Sequence, residues 1–298
     1  MAFLLKSYLE KKRLLVEKGL RRAFQNRANC PPALWNAMRY SIFAGGKRLR
    51  PILCLASAEA LGLPQKDALR IAVALEMIHT YSLIHDDLPA LDDDDYRRGR
   101  KTNHKVYGEA MAILAGDGLF TYAFEWVTDP KGYSAPYRRN IASVAYELAH
   151  YAGWPGMVGG QVDDVLAERQ VPRLAKVLSI HRRKTGALLL SSVRLPALLA
   201  GASRPKLNAV TRYGWAAGLA FQVVDDILNE TGSSRELGKK AGSDRARGKM
   251  TFPAAIGLDA SRRKVRLLTG EALGSLRTLG PKAEPLRQLA LYMAERTN

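Results

Sequence analysis

Two segments of the sequence are apolar on nearly every helical face, and a pair of aspartates lies at or near the end of each. Residues 71–87 read IAVALEMIHTYSLIHDD, and residues 214–229 read GWAAGLAFQVVDDILN. Neither has the broad polar side that a helix on a protein surface presents to water, so both should be surrounded by other helices. The chain is therefore expected to bury two long helices that carry carboxylates at their ends.

The remaining sequence also follows a helical period. No run of alternating β-branched residues bounded by hairpin turns is found, so strands are not expected. Helices are predicted over residues 4–26, 33–43, 51–61, 66–87, 108–127, 137–151, 171–200 and 207–229 and in two or three segments after residue 250. The breaks between them are rich in Gly, Pro and polar residues, and none looks like an interdomain linker. An all-α fold with a single domain over residues 1–298 is predicted.

The chain is strongly basic, with 46 Lys and Arg against 28 Asp and Glu and a formal net charge of +18. Such a field favours anionic partners, including phosphorylated metabolites, nucleic acid and membrane surfaces. No nucleic-acid-binding module is recognised, so nucleic acid is not an expected partner. No apolar stretch is long enough to span a membrane. Two cysteines without a CxxC spacing fit a reducing compartment, and a cytoplasmic location is predicted.

The aspartate pairs call for a positive partner. A carboxylate at a helix C-terminus faces the negative end of the helix dipole, at a cost of about 0.3–1 kcal/mol, and adjacent acids also repel each other. Mg²⁺ often takes one or two carboxylates and leaves its other positions for water and substrate phosphate. The run DDDD at 92–95 alone is more simply a solvated turn. With one pair at Asp86 and Asp87 and another at Asp225 and Asp226, a metal cluster bridged by a polyphosphate is favoured.

Cationic residues supply the other half of such a site. They follow both acidic segments and the glycine pair at 45–46, and they are Arg97, Arg98, Lys239, Lys249, Lys47 and Arg50. Arginine presents a fork that matches phosphate oxygens, and lysine presents a point charge. The P-loop sequence GxxxxGK[ST] is absent, which argues against ordinary ATP chemistry. The pattern indicates a diphosphate site.

The order and content of seven motifs resemble those of the trans-isoprenyl diphosphate synthases, most closely the bacterial-type farnesyl diphosphate synthases. The motifs are GGKRLRP (45–51), ALEMIHTYSLIHDDLPALDDDDYRRG (74–99), GDGLFTYAF (116–124), GMVGGQ (156–161), KTGAL (184–188), FQVVDDILN (221–229) and GKMTFPA (248–254). The resemblance implies an isoprenoid synthase-type helical bundle around a central catalytic cavity, usually in a homodimer. It also implies three Mg²⁺ ions and, as substrates, isopentenyl diphosphate and an allylic diphosphate.

The resemblance also assigns roles to single residues. Metal binding falls to the two aspartate-rich motifs, at Asp86, Asp87, Asp92, Asp225 and Asp226. The allylic diphosphate would be held by Arg97, Lys184, Lys239 and Lys249, and isopentenyl diphosphate by Lys47, Arg50, His79 and Arg98. Thr185 and Gln222 would line the reacting carbon and, with Lys184, Asp86 and Asp225, complete the catalytic set. Without the motif, His79 would be read as an ordinary core histidine.

Product length is the finest prediction that the resemblance allows. Tyr81 lies five residues before Asp86, about 7.5 Å deeper along a helix. In the family an aromatic side chain there, together with the insertion seen here as Pro89 and Ala90, accompanies a fifteen-carbon product. The side chain of Ser82 is small and leaves room for a ten-carbon substrate. The predicted activity is therefore the synthesis of farnesyl diphosphate by ionisation, condensation and elimination, with geranylgeranyl diphosphate as the near alternative.

Several alternatives stay open. The second motif reads DDILN, so Asn229 stands where many farnesyl diphosphate synthases have a third aspartate. A terpene cyclase shares the helical fold but needs no isopentenyl diphosphate site. A catalytically silent regulatory subunit would be expected to lack an aspartate motif or Lys184, and both motifs and the lysine are present. No role is assigned to His85, and Asp163 and Asp164 could extend the acidic rim or support helix packing.

Overall fold

The computed structural model describes residues 3–26, 29–231 and 248–295. Its helices are α1 (Leu5–Ala23), α2 (Pro32–Ile42), α3 (Leu49–Leu61), α4 (Gln65–Asp86), α5 (Asn103–Tyr107), α6 (Glu109–Thr128), α7 (Ile141–Ala152), α8 (Met157–Ala167), α9 (Leu174–His181), α10 (Ala187–Leu199), α11 (Arg204–Thr231), α12 (Phe252–Ile256), α13 (Leu258–Ser275) and α14 (Glu284–Glu295). A hairpin of β1 (Tyr96–Arg97) and β2 (Arg100–Lys101) follows α4. Within the described ranges, no helix has both the length and the apolar character needed to cross a membrane.

The all-α prediction is confirmed, and each predicted helix has a counterpart. One predicted helix, over 171–200, is interrupted: α9 passes through a π-helical turn, Arg182–Gly186, before α10 begins. Short 3₁₀ turns cover Pro130–Gly132, Ala135–Asn140 and Leu276–Ala283. The absence of strands was wrong for the hairpin, whose strands contain only two residues each. That the chain forms a single domain stays a prediction.

Helix α8 is not among the predicted helices, because its sequence carries two glycines that disfavour a helix by about 1 kcal/mol each. The structure shows what Gly160 contributes. A Cβ atom there would lie 2.1 Å from the backbone nitrogen of Lys184, so only glycine lets the two backbones meet. The glycine therefore brings α8 against the π-helical turn, which carries a predicted site residue.

Helix α4 occupies the middle of the bundle, as its apolar sequence predicts. It packs against α1, α3 and α6, and its side chains are buried on nearly every face. Gly19 of α1 permits a close approach, since a Cβ there would lie 2.9 Å from a methyl group of Val73. Helix α11 is the second buried helix and packs against α10 and α13. The two helices that carry the aspartate pairs are thus fixed by the core.

Candidate active site

The first aspartate motif folds back on the end of α4. The amide of Asp92 donates to the carbonyl oxygen of Asp86 at 2.8 Å, which brings the two acids together. Burial raises the pKa of the Asp86 carboxyl above its ordinary value, the charge of Lys184 opposes the shift, and that of Asp92 adds to it. A cation placed between such acids would relieve both the burial cost and the repulsion.

The Asp87 carboxylate binds an arginine of the hairpin that follows the motif. Its side chain is only 5% exposed, and Oδ1 accepts a hydrogen bond from Arg97 Nε at 2.5 Å. Arg97 Nη2 also donates to Asp94 Oδ2 at 3.2 Å. Asp87 therefore holds Arg97 in place, and direct metal binding by Asp87 stays a prediction.

The hairpin after the motif presents Arg98. Arg98 and Gly99 form its two-residue turn with φ of 55° and 75°, the left-handed conformation that such turns favour. Arg98 Nη1 donates to the carbonyl oxygen of Gly45. Its guanidinium lies flat on Gly46, where a Cβ would come within 2.7 Å of Arg98 Cζ. The glycine pair and the hairpin are thereby joined at the edge of the site.

A pocket of about 350 Å³, called the smaller pocket below, is lined by residues from four of the motifs. It lies between the first motif, the π-helical turn, α11 and residues 248–251, and its predicted site residues are Asp92, Lys184, Thr185, Gln222, Asp225, Asp226 and Lys249. Asn229 also lines this pocket, on the same wall as Asp225 and Asp226. The structure therefore brings these predicted residues to one pocket, and the role of each stays a prediction.

Asp164 organises the lysines of the smaller pocket. Its Oδ2 lies 2.6 Å from Lys184 Nζ and 3.7 Å from Lys249 Nζ, and Lys249 Nζ lies 2.9 Å from Asp92 Oδ1. The sequence left Asp164 between a rim and a packing role, and the structure places it inside the site. The signal was available in the acid pair that follows GGQ. Asp163 instead binds Lys176 and Arg183.

The Asp226 carboxylate lines the smaller pocket but forms its hydrogen bonds with groups of the protein. Its Oδ2 lies 2.8 Å from His181 Nε2 and accepts a second hydrogen bond of 2.8 Å from the backbone amide of Phe252. Burial lowers the pKa of His181, but the charge and hydrogen bond of Asp226 outweigh it, so the net shift is upward. His181 carries no functional signal in the sequence, because its partner is 45 residues away in the chain. Metal binding by Asp226 stays a prediction.

A larger cleft of about 870 Å³ adjoins the smaller pocket. Its predicted site residues are Lys47, Arg50, His79, Arg97, Arg98 and Asp225, the last of which lines both spaces. The resemblance assigns Arg97 to the allylic diphosphate, and here it lies beside Arg98 on the wall of this cleft. The cleft therefore gathers the cationic side chains that follow the glycine pair and the first motif.

Arg50 is held by His79 inside this cleft. Arg50 Nη1 lies 3.2 Å from His79 Nε2, and since a guanidinium can only donate, Nε2 is the acceptor and the imidazole proton lies on Nδ1. Burial, with the charge of Arg50, lowers the pKa of His79 well below its ordinary value, so the ring is neutral. Burial also lowers the pKa of Arg50 to about 10. Arg50 Nε is buried and has no hydrogen-bond partner among the residues that the structure describes, so it is a donor that an anionic ligand would satisfy.

Arg48 lies between Lys47 and Arg50 in the sequence, but its side chain is buried. Its guanidinium donates to Glu17 Oε1 at 2.8 Å, to Glu76 Oε1 at 2.6 Å and to the carbonyl oxygen of Ile42 at 2.7 Å. Its φ of 51° is left-handed, a conformation that costs a non-glycine residue about 1–2 kcal/mol. Three hydrogen bonds thus fix the backbone from which Lys47 and Arg50 project.

The acidic groups suit a divalent cation that also binds substrate. Among the residues described, no three His, Cys, Asp or Glu side chains lie close enough to enclose a metal ion by themselves. Mg²⁺ commonly uses few carboxylates and fills its remaining positions with water and phosphate oxygens. Asp92 and Asp225 line one pocket with two lysines, so the donor set fits Mg²⁺ together with a diphosphate. The number of ions stays a prediction.

An aromatic barrier, formed by the rings of Tyr81, Phe120 and Phe124, lies below the first aspartate motif. Tyr81 is 8% exposed, and its ring centroid lies 4.8 Å from that of Phe120 on α6 and 5.6 Å from that of His85. Phe120 in turn packs against Phe124 at 5.3 Å. The Ser82 hydroxyl donates to the carbonyl oxygen of His79 at 2.9 Å, which keeps it close to its own helix. The rings of Tyr81, Phe120 and Phe124 therefore form one continuous packed stack between α4 and α6.

His85 has a structural place in this arrangement. Its Nε2 lies 3.0 Å from the carbonyl oxygen of Ile113, and a Cβ on Gly116 would come within 2.1 Å of the same nitrogen. The GDG sequence of α6 thus makes room for His85, which ties the end of α4 to α6. Lys239, the remaining predicted phosphate ligand, lies outside the described residues.

Comparisons with known proteins agree with this geometry. The polyprenyl synthetase family model matches residues 31–277. A dimethylallyltranstransferase from Fischerella ambigua is 47% identical over 298 residues, covering 99% of this chain and 85% of that protein. A geranylgeranyl diphosphate synthase from Cyanophora paradoxa is 44% identical over 298 residues, covering 99% and 98%. The crystal structure of an FPP/GFPP synthase from Zymomonas mobilis has a TM-score of 0.86 at 32% identity, covering 97% of this chain and 98% of that one.

Proposed function

Because the chain belongs to the polyprenyl synthetase family, whose members are prenyltransferases, we propose that it joins isopentenyl diphosphate to dimethylallyl and then geranyl diphosphate to give farnesyl diphosphate. The observation that carries the proposal is the pair of cation-lined spaces that share Asp225. A reaction between two diphosphate esters needs two neighbouring anion sites, and only one of the two substrates must lose its diphosphate.

The smaller pocket would bind the allylic substrate. Asp86, Asp92 and Asp225 would hold Mg²⁺, which when bound supplies positive charge to the leaving diphosphate. Lys184 and Lys249 would contact the same diphosphate and stabilise the charge that develops as the carbon–oxygen bond breaks. In the structure described here these lysines are occupied by Asp92 and Asp164, so substrate binding would exchange carboxylate partners for phosphate oxygens.

The larger cleft would bind isopentenyl diphosphate. Lys47 and Arg50 would hold its diphosphate, and the buried Arg50 Nε would gain its missing acceptor. The double bond then attacks the allylic cation, a carbon–carbon bond forms, and a proton leaves to the released pyrophosphate. Oxygens of Thr185 and Gln222 would stabilise the cation, while the apolar walls exclude water that would otherwise quench it.

A fifteen-carbon product is proposed because the packed rings of Tyr81 and Phe120, on the side of α4 below Asp86, would block a longer chain. Geranylgeranyl diphosphate is the second candidate product. It is favoured by the relative from Cyanophora paradoxa, which is named as a synthase of that compound and matches this chain over nearly its full length. A silent regulatory role is less favoured, since both aspartate motifs and Lys184 are present and converge on one pocket.

A homodimer is proposed as the working assembly. Helices α6 and α7 leave large apolar side chains uncovered, with exposed fractions of 45% for Ile113, 52% for Leu114 and 75% for Tyr146. Large exposed apolar side chains, when they form one patch, are typical of faces that associate with another protein surface. Sedimentation of wild-type protein and of Leu114→Glu would test the assignment, which predicts that the substitution produces monomers.

The cytoplasmic location also stays a prediction.

The deciding experiment is an incubation of purified protein with isopentenyl diphosphate, an allylic diphosphate and Mg²⁺, followed by dephosphorylation and gas chromatography of the alcohols. Farnesol that disappears with EDTA is the expected result. Geranylgeraniol would retain the chemistry and overturn the product assignment. No alcohol from either dimethylallyl or geranyl diphosphate, with protein shown to be folded, would refute the proposed activity.

A further inference from the structure

The π-helical turn Arg182–Gly186 places Lys184 and Thr185 in the wall of the smaller pocket. Such turns widen a helix by one residue, are less favourable than regular helix, and occur frequently at functional sites. The position of Lys184 therefore depends on whatever holds this irregular turn against its neighbours.

Glycine contacts restrain the turn on two sides. Gly160 of α8 touches its backbone, since a Cβ there would lie 2.1 Å from the nitrogen of Lys184. Gly218 of α11 faces the end of the turn, where a Cβ would lie 3.6 Å from the Cα of Gly186. Contacts of this kind set how closely the backbones approach, but they contain no directional bond that fixes the turn relative to the second aspartate motif.

His181 provides that directional bond. It is the last residue of α9 before the turn, it is 7% exposed, and its Nε2 lies 2.8 Å from Asp226 Oδ2. The same oxygen accepts the backbone amide of Phe252, and the rings of His181 and Phe252 stack at 5.5 Å with an interplanar angle of 22°. One carboxylate oxygen thus joins three separate parts of the chain.

Each of those three parts carries a residue of the smaller pocket. Lys184 lies three residues after His181, Asp225 lies next to Asp226, and Lys249 lies three residues before Phe252. The spacing is short in every case, so a displacement at the shared oxygen would reach each functional group through rigid backbone. None of the three groups takes part in the shared hydrogen bonds themselves.

We propose that His181 is a positioning residue, which acts through Asp226 to hold the π-helical turn, α11 and residues 248–252 at the spacing that lets Lys184, Asp225 and Lys249 face one diphosphate. The inference rests on the proposed function only in naming the allylic diphosphate as the ligand. His181 itself lines the smaller pocket, but its Nε2 is bonded to Asp226, so it is assigned no contact with substrate and the expected defect is confined to that pocket.

Substitutions of His181 distinguish the effect of side-chain length from the effect of losing the hydrogen-bond donor. Gln places an amide nitrogen near the position of Nε2 and can still donate to Asp226, whereas Asn is too short and Leu has no donor. We expect His181→Leu and His181→Asn to raise the KM for geranyl diphosphate, since loss of a residue that orients a metal or phosphate ligand typically costs about 10–100-fold. The KM for isopentenyl diphosphate should change less than twofold, and His181→Gln should restore most of the loss.

Binding without turnover gives an independent readout. Titration calorimetry with inorganic pyrophosphate and Mg²⁺, at saturating isopentenyl diphosphate, should show the same order of affinities: wild type, then Gln, then Asn and Leu. This comparison does not require product formation. If wild-type protein made no alcohol, the proposed function would fail, while the binding order would still decide the role of His181.

His104 is a matched control. It is also 7% exposed and forms a hydrogen bond, with Thr102 Oγ1 at 3.2 Å, but it lies on α5 and lines neither pocket. His104→Leu should lower the melting temperature and leave both KM values unchanged. If the His181 variants behaved in the same way, or if Gln rescued binding no better than Leu, the positioning role would be refuted. His181→Asn keeps the test decisive if the Leu variant does not fold.

Discussion

Replacing Tyr81 with alanine is expected to lengthen the product. Tyr81 is 8% exposed and packs edge-to-face on Phe120, so the substitution removes the upper ring of the aromatic barrier. The next residues on that face of α4 are Met77 and Ile78, one turn or about 5.4 Å further down. This distance is close to the length of one five-carbon unit. Tyr81→Ala should therefore shift the main product from fifteen to twenty carbons.

The size of the shift in product length depends on the aromatic ring that remains after the substitution. Phe120 still lies beside the opened space, so Tyr81→Ala alone should add one unit, and Tyr81→Ala with Phe120→Ala should add more. Truncating a buried aromatic side chain typically lowers the free energy of unfolding by about 3–5 kcal/mol. The melting temperature should accordingly be measured first, and the assay run well below it.

The assay is the chromatographic analysis of dephosphorylated products, with the two allylic substrates supplied separately. Tyr81→Phe is the matched control, because it keeps the ring and removes only the hydroxyl, and its product distribution should equal that of the wild type. An unchanged distribution in folded Tyr81→Ala would show that the ring is not the floor. Longer products from Tyr81→Phe would show that the hydroxyl, and not the ring, sets the length.

Three further predictions concern the cleft, its support and the metal. Arg50→Lys should raise the KM for isopentenyl diphosphate about tenfold, since a hydrogen bond to a charged group is worth about 1.5–3 kcal/mol, and leave the allylic KM unchanged; KM values that rise equally for both substrates would contradict this. Arg48→Met leaves Glu76 buried without its cation and should lower the free energy of unfolding by about 3–5 kcal/mol, measured by urea denaturation against exposed Arg263→Met. Chelation of divalent cations should abolish turnover but barely change unfolding, because the acids lie at a pocket and not in the core; a large loss of stability would refute that reasoning.

The fold could be predicted where one segment carried its own signal. Helices α4 and α11 are apolar all round, and no alternative to burial exists for such helices in water. Helix α8 was missed because the benefit of Gly160 comes from contact with Lys184, which local propensity cannot register. The hairpin at Arg98 was missed because two-residue strands leave no periodicity. The π-helical turn has no sequence signature in a single chain.

The site could be predicted to the level of charge type and motif. Aspartates at the ends of buried helices and cations beyond them are visible in the sequence, and the structure brings these groups to two adjoining spaces. The supporting residues could not be predicted, because their partners are distant in the chain. Asp164 meets Lys249, and His181 meets Asp226, only after the helices have packed. Arg48 lies between Lys47 and Arg50 in the sequence, yet its guanidinium is buried with Glu76.

Asp225 stands in the wall between the two spaces, and its single negative charge acts on both. That charge repels any diphosphate that enters the larger cleft, and a cation bound beside it in the smaller pocket would weaken the repulsion. Filling the smaller pocket should therefore strengthen binding in the larger one, and by thermodynamic linkage the reverse must hold by the same factor. Ordered addition of the two substrates would then need no moving lid, since one carboxylate on a rigid helix is enough to couple them.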